Sequence, residues 1–152
     1  MDNRKWGFKL TKSIDTQENE QLTVPIFGYE LLRDVLLKDI LGKETEDILY
    51  WSGKSIARKF PCTTLEELSL FFQEAGWGDL QLAKESKKEK IFELSGPFIK
   101  RRFSVQADPF FSLESGFLAE QISAQEQAAA ESVSDIQKRA QKVQITVKWE
   151  QS

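Results

Sequence analysis

Histidine is absent from this 152-residue chain, and cysteine occurs once, at Cys62. Histidine is the usual general base near neutral pH and the commonest metal ligand. Catalysis of the Ser-His-Asp or Cys-His type is therefore excluded. A single thiol also cannot form an intramolecular disulfide or a thiolate zinc site. Carboxylate or lysine chemistry stays open, but no motif supports it, so we expect no enzyme, no metal site and no cofactor.

Long apolar runs and a strong net charge are missing as well. No run approaches the ~18 apolar residues that a membrane span needs, and the first residues are polar, unlike a signal peptide. Lys and Arg number 21 against 24 Asp and Glu, a formal charge of −3. That balance gives no general attraction to nucleic acid. We expect a cytoplasmic protein with no membrane span and no nucleic-acid partner.

Aromatic residues, by contrast, are plentiful, with eleven Phe and four Trp. A chain of this length and composition is typical of one folded domain. Residues 1–24 are polar and show no periodic apolar face, so we expect a flexible N-terminal extension there, with a short edge strand where Trp6, Phe8 and Leu10 alternate. Residues 25–152 are expected to form the single domain.

Apolar spacing of three to four residues predicts three N-terminal helices. The first ends at Gly42, the second runs from Thr45 to Pro61, and the third starts with a capping box, Thr64 to Glu67. Gly53 in mid-helix costs about 1 kcal/mol relative to Ala, which favours close approach of a neighbouring backbone. The apolar positions of the first helix are Phe27, Leu31, Leu32, Val35, Leu36, Ile40 and Leu41.

The pattern then changes to the two-residue period of strands. Leu80 with Leu82 and Phe92 with Leu94 predict a hairpin, and Ile99, Phe103 and Val105 predict a third strand. A helix from Phe110 to Ile122, again with a mid-helix glycine at Gly116, and a final strand of Val143, Ile145, Val147 and Trp149 follow. Residues 127–140 have a helical composition and stay ambiguous by pattern. The fold class expected is α+β, with N-terminal helices on one face of a four- to five-stranded antiparallel sheet and a further helix between strands three and four.

Charged residues offer two candidate clusters. Lys54 and Arg58 share one helix face, and either bind an anion or pair with carboxylates such as Glu114 or Glu120, which we favour. Glu114 and Glu120 point about 240° apart around a helix, so they do not converge for acid–base work. The basic residues 100–102 are interpreted as a solvated, charged sheet edge.

Several longer motifs resemble the YslB-like proteins of Gram-positive bacteria, over roughly residues 25 to 150. The motifs are Tyr50–Pro61, Phe71–Gly78, Phe92–Pro97, Leu113–Ile122 and Thr146–Trp149. That resemblance implies the ligand-binding fold of 4-vinyl reductase (V4R) domains, heme–nitric-oxide sensors and small TRAPP tethering subunits. It also implies that Ala130 to Gln137 form a strand, against their helix propensity. The metal-binding cysteines of some relatives are missing, since residues 132–136 contain none.

The resemblance and the composition together favour a non-catalytic module, a homodimer that encloses a small apolar ligand. The apolar surface of the first two helices, beyond what one sheet can cover, supports this. The candidate pocket residues are Trp51, Phe72, Trp77, Phe117 and Trp149, with Lys54, Arg58, Glu114 and Glu120 as a polar cluster. A protein-interaction or assembly factor with a filled core is the alternative, and an enzyme that uses carboxylates or Lys54 is a third.

Overall fold

The computed structural model describes residues 22–150. The strand expected near residues 6–10 lies outside the described residues. The flexible extension expected over residues 1–24 also lies outside them, except for residues 22–24. The first helix, α1, consists of three consecutive segments: α-helical Ile26–Glu30, π-helical Leu31–Leu36 and α-helical Leu37–Leu41. A 3-10 turn, Gly42–Glu44, leads to the second helix. The later elements are α2 Thr45–Lys59, α3 Leu65–Glu74, β1 Asp79–Glu85, β2 Glu89–Ser95, α4 Pro97–Val105, α5 Ser112–Glu126, β3 Ala130–Gln137 and β4 Lys142–Trp149.

The three N-terminal helices begin and end near the predicted residues. Gly42 follows α1 with a φ of 65°, a conformation that glycine adopts without strain. The hydroxyl of Thr64 accepts the backbone N–H of Glu67 at 3.1 Å, as a capping box requires. The carboxylate of Glu67 accepts the N–H of Thr63, one residue earlier than that motif predicts. The N-terminal half of the expected box is therefore confirmed, and its return contact is shifted.

Within residues 22–150, the sheet has four antiparallel strands in the order β1-β2-β4-β3. The predicted hairpin is β1 with β2, in which Leu80 pairs with Leu94 and Leu82 with Phe92. Val143, Ile145, Val147 and Trp149 of β4 are all buried, so the two-residue period of that segment is confirmed. Helix α5 packs against β3 and β4, α3 against β1 and α4 against β2. The expected α+β fold is thereby confirmed.

The predicted third strand is wrong, because its residues form helix α4. Pro97 occupies the first turn, where its fixed φ suits a helix and its missing N–H costs nothing. Ile99, Arg102 and Phe103 lie three and four residues apart and make the inward face of α4, with Ile99 and Arg102 buried and Phe103 partly so. Because the middle member of that face is an arginine, the helical period was hidden in the sequence.

Strand β3 confirms the assignment that the family resemblance implied for residues 130–137. Helix α5 ends at Glu126, and the next residue, Gln127, adopts a left-handed conformation with a φ of 54°. The chain then pairs with β4 along its whole length, from Ala130 opposite Trp149 to Gln137 opposite Lys142. Eight paired residues outweigh the helix propensity of this segment, which is worth only tenths of a kcal/mol per residue.

Helices α2 and α5 cross at two glycines. A Cβ at Gly53 would overlap the carbonyl oxygen of Leu113, and a Cβ at Gly116 would overlap the carbonyl oxygen of Tyr50. Each helix thus places backbone where a side chain of the other would be. The close approach expected from glycine in mid-helix is confirmed at Gly53 and occurs at Gly116 as well.

The link between α2 and α3 is held on α5 by two glutamine side chains. Gln121 accepts the N–H of Cys62 at 2.9 Å and donates to the carbonyl of Phe60 at 2.8 Å. Gln125 donates to the carbonyl of Cys62 at 2.9 Å. Buried backbone groups in this irregular stretch therefore have their hydrogen bonds supplied by α5.

Candidate functional site

Four of the five predicted pocket residues lie in the hydrophobic core. Phe72, Trp77, Phe117 and Trp149 are at most 6% exposed, whereas Trp51 is 64% exposed. The ring centroids of Phe72 and Trp77 lie 5.1 Å apart, and those of Trp77 and Phe117 lie 5.3 Å apart. Aromatic rings at such separations contact each other edge to face. Phe72, Trp77 and Phe117 are therefore packing partners, Trp149 is buried in the same core, and Trp51 lies on the surface.

Two of the cavities bordered by residues within 22–150 are not lined by any member of that aromatic cluster. One, of about 220 Å³, lies between α1 and the end of α4. The other, of about 500 Å³, lies between α2, α5 and β3. Within residues 22–150, no three His, Cys, Asp or Glu side chains are arranged to hold a metal ion. The apolar ligand suggested by the sequence stays a prediction.

The predicted polar cluster divides into separate pairs. Arg58 lies 3.4 Å from Glu120, which confirms pairing as the interpretation of that arginine. Lys54 pairs instead with Glu131 of β3 at 2.5 Å, a partner that the sequence did not indicate. Glu114 is fully buried and contacts neither cation of α2, since its partner is Arg33 of α1. Glu114 and Glu120 do not converge.

Arg33 and Glu114 form the centre of a charged interface between α1 and the rest of the domain. Arg33 Nη2 donates to both carboxylate oxygens of Glu114, each at 2.7 Å, and Arg33 Nη1 donates to the hydroxyl of Tyr29 at 3.1 Å. Both charged side chains are at most 5% exposed. Burial by itself would lower the pKa of Arg33, but the charge and hydrogen bonds of Glu114, together with those of Tyr29, outweigh burial, so the pKa of Arg33 is raised.

Two further ion pairs join α1 to α4. Glu30 accepts from Arg101 at 2.8 and 3.0 Å, and this contact lowers the pKa of Glu30 despite its burial. Arg102 is 4% exposed and lies 3.7 Å from Asp34 and 3.8 Å from Glu114. Burial and the neighbouring Arg33 lower the pKa of Arg102. The solvated, charged edge expected at residues 100–102 is therefore wrong for Arg102, because this segment is a helix that turns Arg102 inward.

Helix α1 consequently has its charged face inside and its apolar face outside. Six large apolar side chains on α1 are 42–67% exposed: Phe27, Leu31, Leu32, Val35, Leu36 and Ile40. We call these six the α1 surface. Three of them, Phe27, Leu31 and Val35, also line the 220 Å³ cavity together with Val105 of α4. A helix in a lone globular domain normally shows the opposite arrangement.

The sequence contained a signal for this interface that apolar periodicity alone does not use. Glu30, Arg33, Asp34 and Lys38 lie at helical spacing and make a second, charged stripe along α1. The middle of that stripe lies on the π-helical segment Leu31–Leu36. Turns of π-helix are rare in proteins, and those that occur are often found at functional sites. Which of the two stripes faces the rest of the domain depends on Glu114 and Arg102. These residues lie about 80 and 70 residues further along the chain.

No helix within residues 22–150 is long and apolar enough to cross a membrane.

Both the fold and the sequence of this chain are similar to those of known proteins. The fold is similar to a vinyl-4-reductase family protein from Methanocaldococcus jannaschii, with a TM-score of 0.64 over 95% of this chain and 100% of that one, at 18% identity. The sequence is 44% identical over 142 residues to "Uncharacterized protein YslB" of Bacillus subtilis (strain 168), which covers 93% of this chain and 95% of the relative. Residues 26–148 match the family described as "Protein of unknown function (DUF2507)", and with these motifs and this fold the chain belongs to that family.

Proposed function

We propose that this protein is a non-catalytic, cytoplasmic interaction module that forms a homodimer through the α1 surface. The observation that carries the proposal is the orientation of α1. Its ionic residues are held by α4 and α5, with Arg33 against Glu114 and Glu30 against Arg101. The exposed apolar side chains therefore cannot turn inward without breaking these buried contacts.

The size of the α1 surface is appropriate for a dimer. Its six side chains follow one another along one helix and expose on the order of several hundred Å² of apolar area, at the upper end of what a lone protein presents. A standard interface buries about 800 Å² on each partner. Leu22 and Val24, which precede α1, are 75% and 76% exposed and add two apolar side chains at its N-terminal end.

A second copy of the chain is the partner that fits this surface most simply. A two-fold dimer needs one patch that is complementary to itself. Most of the exposed side chains of α1 are aliphatic, and Asp39 is the single exposed charged residue within Ile26–Leu41. Burying such a surface against its own copy leaves few charges to desolvate, whereas a strongly charged partner would find no complementary groups there.

Binding of an apolar ligand is the second candidate, supported by the V4R-like fold. The rings of Phe72, Trp77 and Phe117 contact one another, and the 220 Å³ cavity on α1 is smaller than the ~300 Å³ at which ligand pockets usually begin. Assembly is therefore the better supported of the two. Native mass spectrometry after gentle extraction distinguishes them, since a resident ligand would appear as a defined added mass.

The direct test is the oligomeric state of Leu32→Glu and Ile40→Glu by analytical ultracentrifugation. We expect the wild-type protein to be a dimer at micromolar concentration and each variant to be a monomer, because a carboxylate at a dimer centre must be desolvated. Val133→Glu is the matched control, since Val133 is 69% exposed but lies on β3. A wild-type monomer at about 100 μM, or dimers that persist in both α1 variants, would contradict the proposal.

A further inference from the structure

Strand β3 lies at the edge of the sheet, since β4 is its single neighbour within residues 22–150. Backbone groups of such a strand point alternately toward the neighbour and away from it. Ser132 points away, because its N–H is donated to the hydroxyl of Tyr50 on α2. Ser134 and Ile136 follow at the two-residue period, so their N–H and C=O groups point away as well. Among the described residues, none forms a hydrogen bond with these outer groups of Ser134 and Ile136.

This free edge is open to solvent. Val133 is 69% exposed, and Ser134 and Asp135 are exposed as well. The open depression of about 500 Å³ between α2, α5 and β3 borders the edge at residues 131–134. A sheet edge with unpaired groups can accept a further strand, and native proteins normally cover or pair such an edge. We propose that residues 4–10 of the same chain add to this edge as a fifth strand.

The sequence of residues 4–10, which lie outside the described part of the chain, has the alternation of a strand. Apolar side chains occupy every second position, with basic side chains or glycine between them: Lys5, Trp6, Gly7, Phe8, Lys9 and Leu10. A strand with this sequence has one apolar face and one basic face. Added to β3, its apolar face belongs on the side of the sheet that α5 covers, and its basic face on the opposite side.

Charge complementarity favours this occupant. The side chain of Ser132 points toward α5, since its hydroxyl donates to a backbone carbonyl of that helix. Glu131 and Asp135 therefore lie on the opposite side of the sheet. These two carboxylates are four residues apart, which is also the separation of Lys5 and Lys9. Pairing of the two strands can thus place each lysine beside a carboxylate, and opposite charges on neighbouring strands stabilise a sheet.

The acidic surroundings of the edge extend to α2. Glu46 and Asp47, both exposed, border the same depression. Residues 4–12 contain four basic residues and no acidic one, whereas residues 13–21 contain three acidic residues and no basic one. The half of the N-terminal segment that has the strand alternation is therefore also the half whose charge matches this edge.

The connection to α1 is long enough for this pairing. Residues 11–21 join Leu10 to Leu22. When extended, they span up to ~36 Å, which is comparable with the diameter of ~35 Å expected for a domain of this size. The segment can therefore reach β3 of its own copy.

The other edge of the sheet, β1, suits a straight basic strand less well. Its pairing with β2 is interrupted by a bulge between Leu82 and Lys84, and bulges twist an edge away from a further strand. Charged residues of both signs lie along β1, namely Asp79, Lys84 and Glu85, whereas the charged residues of β3 are all acidic. The β3 edge is therefore the better match.

The test is amide hydrogen exchange of the full chain, followed by NMR. We expect the N–H groups of Ser134 and Ile136 to exchange slowly in the wild-type protein. In Lys5→Glu/Lys9→Glu they should exchange at least about tenfold faster, because like charges then lie beside the carboxylates of β3. The N–H of Val133 points toward β4 and is the internal reference, with a rate that should stay within about twofold.

Lys84→Glu/Lys87→Glu is the matched control, because it makes the same change of charge at exposed positions of the β1–β2 hairpin. It should leave exchange of the two β3 amides within about twofold. Slow exchange should also persist in Leu32→Glu, since pairing within one copy does not need the α1 surface. This proposal and the dimer therefore fail independently.

Three results would overturn the proposal. The first is fast exchange of both β3 amides in the wild-type protein. The second is slow exchange that persists in Lys5→Glu/Lys9→Glu, as pairing of β3 with β3 of a second copy would give. The third is slow exchange that is lost in Leu32→Glu, which would show that the added strand comes from the other copy of a dimer.

Discussion

At the scale of single residues, the contact between Arg33 and Glu114 decides how α1 is oriented. Two hydrogen bonds of 2.7 Å join side chains that are 5% and 0% exposed. Removing Arg33 leaves the buried carboxylate of Glu114 with only the more distant Arg102, 3.8 Å away and without a hydrogen bond, which is far more costly than losing a surface pair. Arg58 and Glu120 provide the comparison within the same protein, because Arg58 is 57% exposed.

We therefore expect Arg33→Met to lower the free energy of unfolding by about 3–5 kcal/mol, and Arg58→Met by about 1 kcal/mol or less. Urea unfolding at one fixed protein concentration measures both. The double variant Arg33→Met/Glu114→Leu should recover most of the loss, because it removes both charges together. Similar losses for Arg33→Met and Arg58→Met would show that the buried pair does not hold α1.

The sequence alone could predict some of these residues but not their roles. Pairing of Arg58 with a carboxylate such as Glu114 or Glu120 is predictable because all three lie on regular helices with visible periods, and the structure shows that Glu120 is the partner. Arg33 was not identified, because its partner lies 81 residues away along the chain. Glu131 carries no local signal as the partner of Lys54, since the two are brought together only by the tertiary fold, 77 residues apart along the chain.

At the scale of elements, two segments show when local pattern fails. Ile99, Phe103 and Val105 fit the two-residue period of a strand, which is why a strand is the expectation for this segment. Ile99 and Phe103 are also four residues apart, which is a helical spacing, and the segment forms helix α4. Strand β3 has a helical composition and is nevertheless a strand, because β4 offers a complete set of pairing partners. Family resemblance corrected the second case, since it carries tertiary information that composition lacks.

The crossing of α2 and α5 gives a prediction at this scale. Gly53→Ala or Gly116→Ala must push two backbones apart, so we expect each to lower stability by about 1–3 kcal/mol or more. Gly28→Ala is the control, because a Cβ there meets nothing within 4 Å. That substitution should raise stability by about 0.5–1 kcal/mol through better helix propensity. Thermal melting monitored by circular dichroism measures all three, and a neutral Gly116→Ala would contradict the close crossing.

At the scale of the whole molecule, the excess apolar surface of the N-terminal helices was visible in the sequence, and the α+β architecture was predicted correctly. The direction of that surface was not predictable, because it depends on which of two stripes on α1 finds partners. The result is a domain with a buried aromatic core and a second apolar area on its outside.

If that outer area joins two copies, stability depends on protein concentration. When a dimer unfolds, its two chains also separate. Mass action should therefore raise the melting temperature as the protein concentration rises. We expect an increase of several degrees between about 1 and 100 μM for the wild-type protein. Leu32→Glu should melt at one temperature throughout that range. A wild-type melting temperature that does not change with concentration would argue against a dimer.

The glutamine contacts to the link between α2 and α3 have a practical consequence for measuring motion. Cys62 is the single cysteine of the chain, is 2% exposed, and has its backbone held by Gln121 and Gln125. A water-soluble thiol reagent can reach it only when the link separates from α5, because burial otherwise excludes the reagent. The rate of labelling at native conditions therefore reports how often this part of the domain opens, without any introduced probe.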